Sequence, residues 1–438
     1  MVNGVRNVVL LSVDALRADH LSAHGYERET TPRLDGFARG NARFENAYSA
    51  SSHTREAVPA LLTGQYPDEA VDAGYRLTGE PVAARLRQAG FVTSGFHSNP
   101  FVSRAYGFDR GFDTFDDDLR FGRNRIVALA QRAFDIARNR NYARADEINE
   151  RSLRWLDSVA DSGSRFFLWN HYMDVHGPYE PPPDYREFIA DYPGDRAVQR
   201  LYKRAIKNPD SVTDDERSLL MDCYDAEVRY TDQRIGSFLD PLRDRGLLDE
   251  TLVIVTADHG DAFGEHGYYE HPRYLHDELL HVPMLVGGPG VSGGTHGTPV
   301  STLDVVPTLL EGVGVGDRGG SSDSGDSHDL PGRSLLATAA DAGGSADRRV
   351  FGQAHGEGTD EGLRRFSVRD RSGWSSLEYD LDTDRIVDER PRSGGDTLLG
   401  ALCDHAAERT TRAEQSGGAD AEPTEEIERR LEALGYRE

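Results

Sequence analysis

The stretch from Leu252 to His271, LVIVTADHGDAFGEHGYYEH, constrains this chain most. It opens with Leu252, Val253, Ile254 and Val255, and an unbroken apolar run of that kind suits a strand covered on both faces, as in a parallel sheet. Asp258 and His259 then fall where the strand ends and its loop begins, the edge at which open α/β sheets bind ligands. A carboxylate beside an imidazole, followed by Asp261, Glu265, His266, Glu270 and His271, is costly to collect in one loop unless a cation organises it. The stretch therefore reads as half of a metal site.

The chain start offers the other half. Asn7 to Val13, NVVLLSV, is a second continuous apolar run; it ends on Asp14 and is followed by the helix-like ALRADHL. Two buried strands that each end on an acid suggest one edge of one sheet, although a strand-end Asp can equally cap the helix after it. A third run, Phe166 to Trp169, delivers His171, Asp174 and His176 before a Pro-rich loop. One histidine there would read as structural, but polar groups at a third strand end strengthen the metal reading. In ARFENAYSASSHTREAVPALLTGQYP a polar run turns into a helix pattern with Val58, Leu61 and Leu62. Thr54 and Arg55 fall at or just before that helix N-terminus, where free N–H groups and the helix dipole favour an anion. The plainer role there is a cap by Ser51, Ser52 or Thr54.

Around these points the chain alternates strands and helices, which predicts an α/β class with a doubly wound sheet. Helices are expected after Thr31 and Pro32, over Glu80 to Gly90, over about 124–159 as a solvated outer layer, over Asp222 to Asp240 and over STLDVVPTLLEGVG. FVTSGFHSN reads as a strand leading to Asn99, and HVPMLVGGPG as another. Residues 312–332 are rich in Gly, Ser and Asp and read as a flexible loop closing a catalytic domain over 1–335. From about residue 340 to 438, segments such as RRFSVRDRSGWSSLEYDL suggest a small α+β subdomain built on an antiparallel sheet. Within it 401–423 is polar and expected to be mobile, and TEEIERRLEALG closes the chain as a helix.

A chain of 438 residues with a net charge of -25 makes nucleic acid or an anionic membrane face an unfavourable partner. Lys occurs only at Lys203 and Lys207, and an acidic, Lys-poor surface is similar to that of proteins from salt-loving (halophilic) organisms. An anionic substrate must then be held by a cation and a few Arg or His. Cys223 and Cys403 have no CxxC spacing, so neither a disulfide framework nor a thiolate metal site is implied. No apolar stretch approaches the roughly 18 residues of a membrane span, and a cytoplasmic location is the expectation.

Together these motifs resemble the sulfatase branch of the alkaline phosphatase superfamily. The matching pieces are NVVLLSVDALRADHL, TREAVPALLTGQYP, the HGPYEPP loop, TADHGDAFGEHG, DELLHVPMLV, STLDVVPTLL and IERRLEALGY, in the family's order. The resemblance implies an alkaline phosphatase-like doubly wound sheet flanked by helices, a smaller C-terminal sheet domain, and one or two divalent cations at the strand ends. It also implies a metal set of Asp14, Thr54, Asp258 and His259, with Thr54 at the nucleophile position. His271 falls where many members have a Lys on the transferred group, and His176 where a His serves the leaving group.

The chain departs from the family pattern at Ala15, where a second Asp is usual, at Thr54, where Cys or Ser opens C/S-x-P-x-R, and at Val58, the Arg of that motif. Arg55 is a candidate replacement for that Arg from a different place on the turn. A hydrated aldehyde expels sulfate by breaking its own C–O bond, whereas a Thr ester must be cleaved by attack at the central atom. Thr54 therefore suits phosphoryl transfer better. The O/N ligand set suits Mn²⁺, Zn²⁺ or Mg²⁺ as well as Ca²⁺, and Mn²⁺ or Ca²⁺ is expected. The implied function is a metal-dependent hydrolase of a sulfate or phosphate ester of a small molecule or glycan. A phosphotransferase or phosphomutase on the same fold, or a degenerate anion-binding member, are the alternatives.

Overall fold

The computed structural model describes residues 4–118, 142–160, 162–315, 330–340, 348–383, 385–391 and 395–413. Its centre is an eight-stranded sheet. In spatial order the strands are Gly294–His296, Ala42–Phe44, Met284–Gly287, Thr251–Ala257, Asn7–Val13, Phe166–Tyr172, Val92–Phe96 and Thr114–Asp116. Met284–Gly287 runs antiparallel to both its neighbours, and every other pair is parallel.

The unbroken apolar runs are explained by cover on both faces. Val9, Leu11, Val13, Leu168, Val253 and Val255 belong to one core, shared with the helices Ala145–Ala160 and Asp214–Asp244. Val8, Leu10, Phe167, Leu252 and Ile254 face the other, shared with the helices Thr54–Thr63, Val82–Gln88 and Val305–Gly312. The register places Val13 level with both Ala257 and Tyr172, so the residues that follow these three strands emerge side by side at one sheet edge.

Several local expectations are corrected. ALRADHL is not an α-helix; it holds the 3-10 turn Ala18–His20, and a second such turn, Ser22–His24, follows it. Ala15 takes a left-handed φ of 60°, and the Tyr224 hydroxyl donates to the Ala15 carbonyl and accepts from the Arg17 N–H. That single side chain from the opposite layer satisfies the backbone groups a helix would have used. Asp14 caps nothing. The expected Asp222 to Asp240 helix is longer, Asp214–Asp244, and starts at a capping box between Thr213 and Glu216.

The strands Val350–His355, Leu363–Asp370, Gly373–Asp380 and Arg385–Pro391 form a separate antiparallel sheet. Residues 401–413, expected within a mobile stretch, lie in the helix Gly395–Ala413. Leu398, Leu402 and Ala406 recur every four residues and bury one helical stripe against Phe366, Val368 and Leu377. The expected helix over 124–141, most of the 312–332 loop, residues 414–423 and the closing helix lie outside the described residues.

Candidate active site

Asp14 and Asp258 follow adjacent strand ends, and His171 is the penultimate residue of the strand on the other side of Asn7–Val13. All three side chains are fully buried, and their donor atoms lie within 4.8 Å of one another. Among the described residues, Oδ1 of Asp14, Oδ2 of Asp258 and Nε2 of His171 have no hydrogen-bond partner. Their other atoms are committed. Asp14 Oδ2 accepts from Asn99 Nδ2 at 2.7 Å, and Asp258 Oδ1 accepts from the N–H groups of His259 at 2.9 Å and Ala15 at 3.3 Å. His171 Nδ1 lies 2.9 Å from Ser12 Oγ, which itself accepts from Trp169 Nε1. Buried polar atoms are ordinarily paired, so convergent orphans of this donor type fit a divalent cation.

Charge supports the fit. Burial pushes Asp258 up to about 8, with the nearby charge of Asp14 as the next cause. Burial acts against ionisation of Asp14 too, but His176, His171 and His259 outweigh it and hold Asp14 well below the carboxylate range. One member of this buried acid pair thus keeps a proton when no cation is bound.

Thr54 is the first residue of its helix and is fully buried. The cap is not Ser51, Ser52 or Thr54 but His53, whose Nδ1 accepts from the Arg55 N–H at 3.2 Å. Ser51 instead donates to Glu56. Thr54 Oγ1 is left to face His259 Nε2 at 3.0 Å. His259 Nδ1 lies 2.8 Å from the Gly260 carbonyl, which can only accept. In the neutral ring Nε2 therefore carries the lone pair, and it points at the Thr54 hydroxyl. The same Nε2 lies 3.5 Å from Asp14 Oδ1 and 3.6 Å from Asp258 Oδ2. A side chain at Gly260 would run into the Glu278 carbonyl 2.0 Å away, so glycine is what allows the loop to close behind His259.

His176 and His271 complete the cluster, with Nε2 atoms 2.9 Å apart. His176 Nδ1 donates to the Gly177 carbonyl at 2.6 Å, so in the neutral ring its Nε2 accepts and His271 Nε2 donates. Burial, then His259 and His176, hold the His271 ring neutral. The ring centroids of His271 lie 4.4 Å from His259 and 5.1 Å from His53.

Glu265, His266 and Asp261 of the Asp258 loop do not join the site, because protein partners rather than a cation organise them. Glu265 takes Arg17 at 2.6 Å, His266 lies 3.1 Å from Glu278, and Asp261 accepts from the Tyr179 hydroxyl at 2.6 Å. Asp174 is bound by Arg144. Val58 is buried in the core and offers no charge. Arg55 stacks on Phe101, its guanidinium carbon 4.1 Å from the ring centroid, and makes no contact with the acid pair among the described contacts. Sequence reasoning did not single out Asn99 as a partner of Asp14, or Glu56. Fully buried, Glu56 accepts from Ser51, Arg273 and His355 and so ties the Thr54 helix to the C-terminal sheet.

The decisive comparison is the match of the sulfatase family model to residues 6–315. The chain belongs to the sulfatase family. A choline-sulfatase from Rhizobium meliloti is 25% identical over 355 residues, covering 72% of this chain and 69% of the relative. An arylsulfatase from Clostridium perfringens is 25% identical over 364 residues, covering 70% and 74%. The phosphonate monoester hydrolase of Agrobacterium radiobacter superposes with a TM-score of 0.67 at 18% identity, covering 94% of this chain and 96% of that one. A structure in complex with its substrate D-glucosamine-2-N,6-O-disulfate gives the same TM-score at 17% identity, covering 94% and 98%. The chain thus shares the fold of an alkaline phosphatase-superfamily structure and belongs to a family of ester hydrolases. Among the described residues no helix is long and apolar enough to cross a membrane.

Proposed function

We propose that this sulfatase-family hydrolase is metal-dependent and cleaves phosphoryl esters in preference to sulfate esters through Thr54. What carries the reading is the convergence of the orphaned atoms of Asp14, His171 and Asp258 beside a Thr hydroxyl aimed at an unprotonated imidazole nitrogen. Asp14, Asp258 and His171 would hold the divalent cation, with His259 and Thr54 at its edge; Mn²⁺ or Ca²⁺ suits the mixed set. The chemistry such a cation supplies is a lowered pKa for a neighbouring hydroxyl and charge neutralisation of the bound anion. His171 was not in the ligand set expected from sequence. It enters because Ser12 orients its ring as an outer partner orients a metal histidine.

Thr54 Oγ attacks phosphorus, and its proton passes to His259 Nε2. The new Oγ–P bond forms as the bond to the leaving oxygen breaks, and His176 in its imidazolium form, with His271 beside it, donates its Nε2 proton to that oxygen. Water then attacks phosphorus and gives a proton to the now neutral His176, while the Oγ–P bond breaks and His259 returns its proton to Thr54 Oγ. The Thr54 N–H, which makes no hydrogen bond among the described residues, faces charge on the remaining oxygens. Phosphate monoesters require accelerations up to about 10²¹-fold, so no single group suffices.

The test is turnover of matched aryl sulfate, phosphate monoester, phosphodiester and phosphonate esters by chelator-stripped protein in high salt, with Mn²⁺, Ca²⁺, Mg²⁺ or Zn²⁺ restored. Metal-dependent preference for the phosphorus esters, lost by about a thousandfold or more in Thr54→Ala, is the expected result. Full turnover by Thr54→Ala would overturn the nucleophile, and preference for the sulfate would overturn the argument from Thr chemistry.

A further inference from the structure

Arg55 is poised beside the nucleophile without being used by it. It follows Thr54 in the helix, so its guanidinium is held within about 10 Å of the Thr54 backbone. Its carbon sits 4.1 Å from the Phe101 centroid and 5.0 Å from that of Tyr75, faces that fix its plane. The guanidinium makes no hydrogen bond among the described residues; its one ion pair is Nη1 to Glu357 at 3.9 Å. That partner is half exposed, with 47% of its side chain accessible, and is held more closely by Arg273. Such a long, partly exposed pair holds the guanidinium only weakly. Phe101 leads on to His53 at 5.8 Å and His53 to His271 at 5.1 Å, so the stacked arginine shares a wall with the reacting cluster. A rigid planar fork with unused donors, in a chain of net charge -25, is built to receive an oxyanion.

We propose that Arg55 forms a second anion subsite beside Thr54. The preferred ester then carries, on its alcohol part, a further carboxylate, sulfate or phosphate in addition to the group that is transferred. The inference rests on the ester-hydrolase reading above. It gives Arg55 a role in selecting the alcohol rather than in neutralising the transferred group.

The experiment compares kcat/KM for 3-carboxyphenyl phosphate and for its methyl carboxylate ester in wild type, Arg55→Met, Arg55→Lys and Glu357→Gln. Taking the ratio of the two substrates in each protein cancels general loss of activity or folding. The wild-type ratio should exceed that of Arg55→Met by about tenfold to a hundredfold, with Arg55→Lys between them. Glu357→Gln, which removes the competing carboxylate, should raise it. A ratio untouched by Arg55→Met overturns the proposal, including the case in which both esters slow equally, which would place Arg55 on the transferred group. If neither ester reacts in any protein, the ester-hydrolase reading fails. Calorimetric titration with benzene-1,3-disulfonate against benzenesulfonate then decides the subsite alone. Tighter binding of the disulfonate that Arg55→Met abolishes supports it, and equal affinities refute it.

Discussion

Asp258 allows the metal reading to be tested without any turnover. Its Oδ1 accepts from two backbone N–H groups, while Oδ2 has no hydrogen-bond partner among the described residues. In Asp258→Asn the amide oxygen can keep both accepted bonds, and only the charge is lost. Burial first and Asp14 second raise the folded pKa from 3.8 to about 8. A carboxyl raised in this way contributes stability that is fully present below the unfolded pKa and is lost as pH rises through the folded one. Over the interval from the unfolded value to pH 7 the loss is on the order of 4 kcal/mol, a fraction that partial relaxation of the coupled acid pair will reduce. Metal-free Asp258→Asn should therefore resist urea better than metal-free wild type at pH 7 to 8, by a few kcal/mol, and the gap should close toward pH 4. Added Mn²⁺ should reverse the order. Wild type gains about 2.7 kcal/mol at a hundredfold excess over Kd, and the variant far less. A metal-free variant weaker than wild type at every pH, or one with an undiminished gain from Mn²⁺, would refute the reasoning.

Because Asp258 must ionise to bind a cation, affinity should rise about tenfold per pH unit up to about pH 8 and then level, with a proton released. Calorimetry in two buffers of different ionisation enthalpy measures that proton. His176→Ala should slow alkyl esters by about 10²- to 10⁴-fold and nitrophenyl esters far less, since a good leaving group needs no acid; an equal loss on both would remove His176 from that role. Glu56→Ala leaves the buried Arg273 with only half-exposed Glu357 as an anionic partner. It should cost about 3 to 5 kcal/mol in denaturant unfolding, and stability within 1 kcal/mol of wild type, by the same scale, would mean that the Glu56 network is not what joins the two sheets.

Much of the site was legible because parallel strands covered on both faces announce themselves as apolar runs, and the residue after each run must sit at the sheet edge. That logic reached Asp14 and Asp258. It stopped short of His171, which looks like one more polar residue beyond the Phe166 to Trp169 run. The strand continues to Tyr172, and only its register beside Ser12 shows that the ring turns toward the acids. The capping argument found the right helix start at Thr54 but the wrong cap. A histidine lone pair did the work that sequence statistics assign to Ser or Thr, and so left the Thr54 hydroxyl for His259.

Periodicity and local backbone rules suffice for the class of the fold, the strand ends that carry Asp14 and Asp258, and the helix that presents Thr54. The tertiary structure decided which polar groups pair with protein and which are left over. Glu265, His266 and Asp261 lie in the same acidic loop as Asp258, yet each finds a protein partner outside that loop, whereas among the described residues Asp14, Asp258 and His171 each keep one atom without a hydrogen bond. It decided likewise that Arg55 lies against Phe101 rather than over the acids. The physical reason is that hydrogen bonding and burial of a side chain are settled by what the rest of the chain brings to it, and local sequence carries no record of that neighbour.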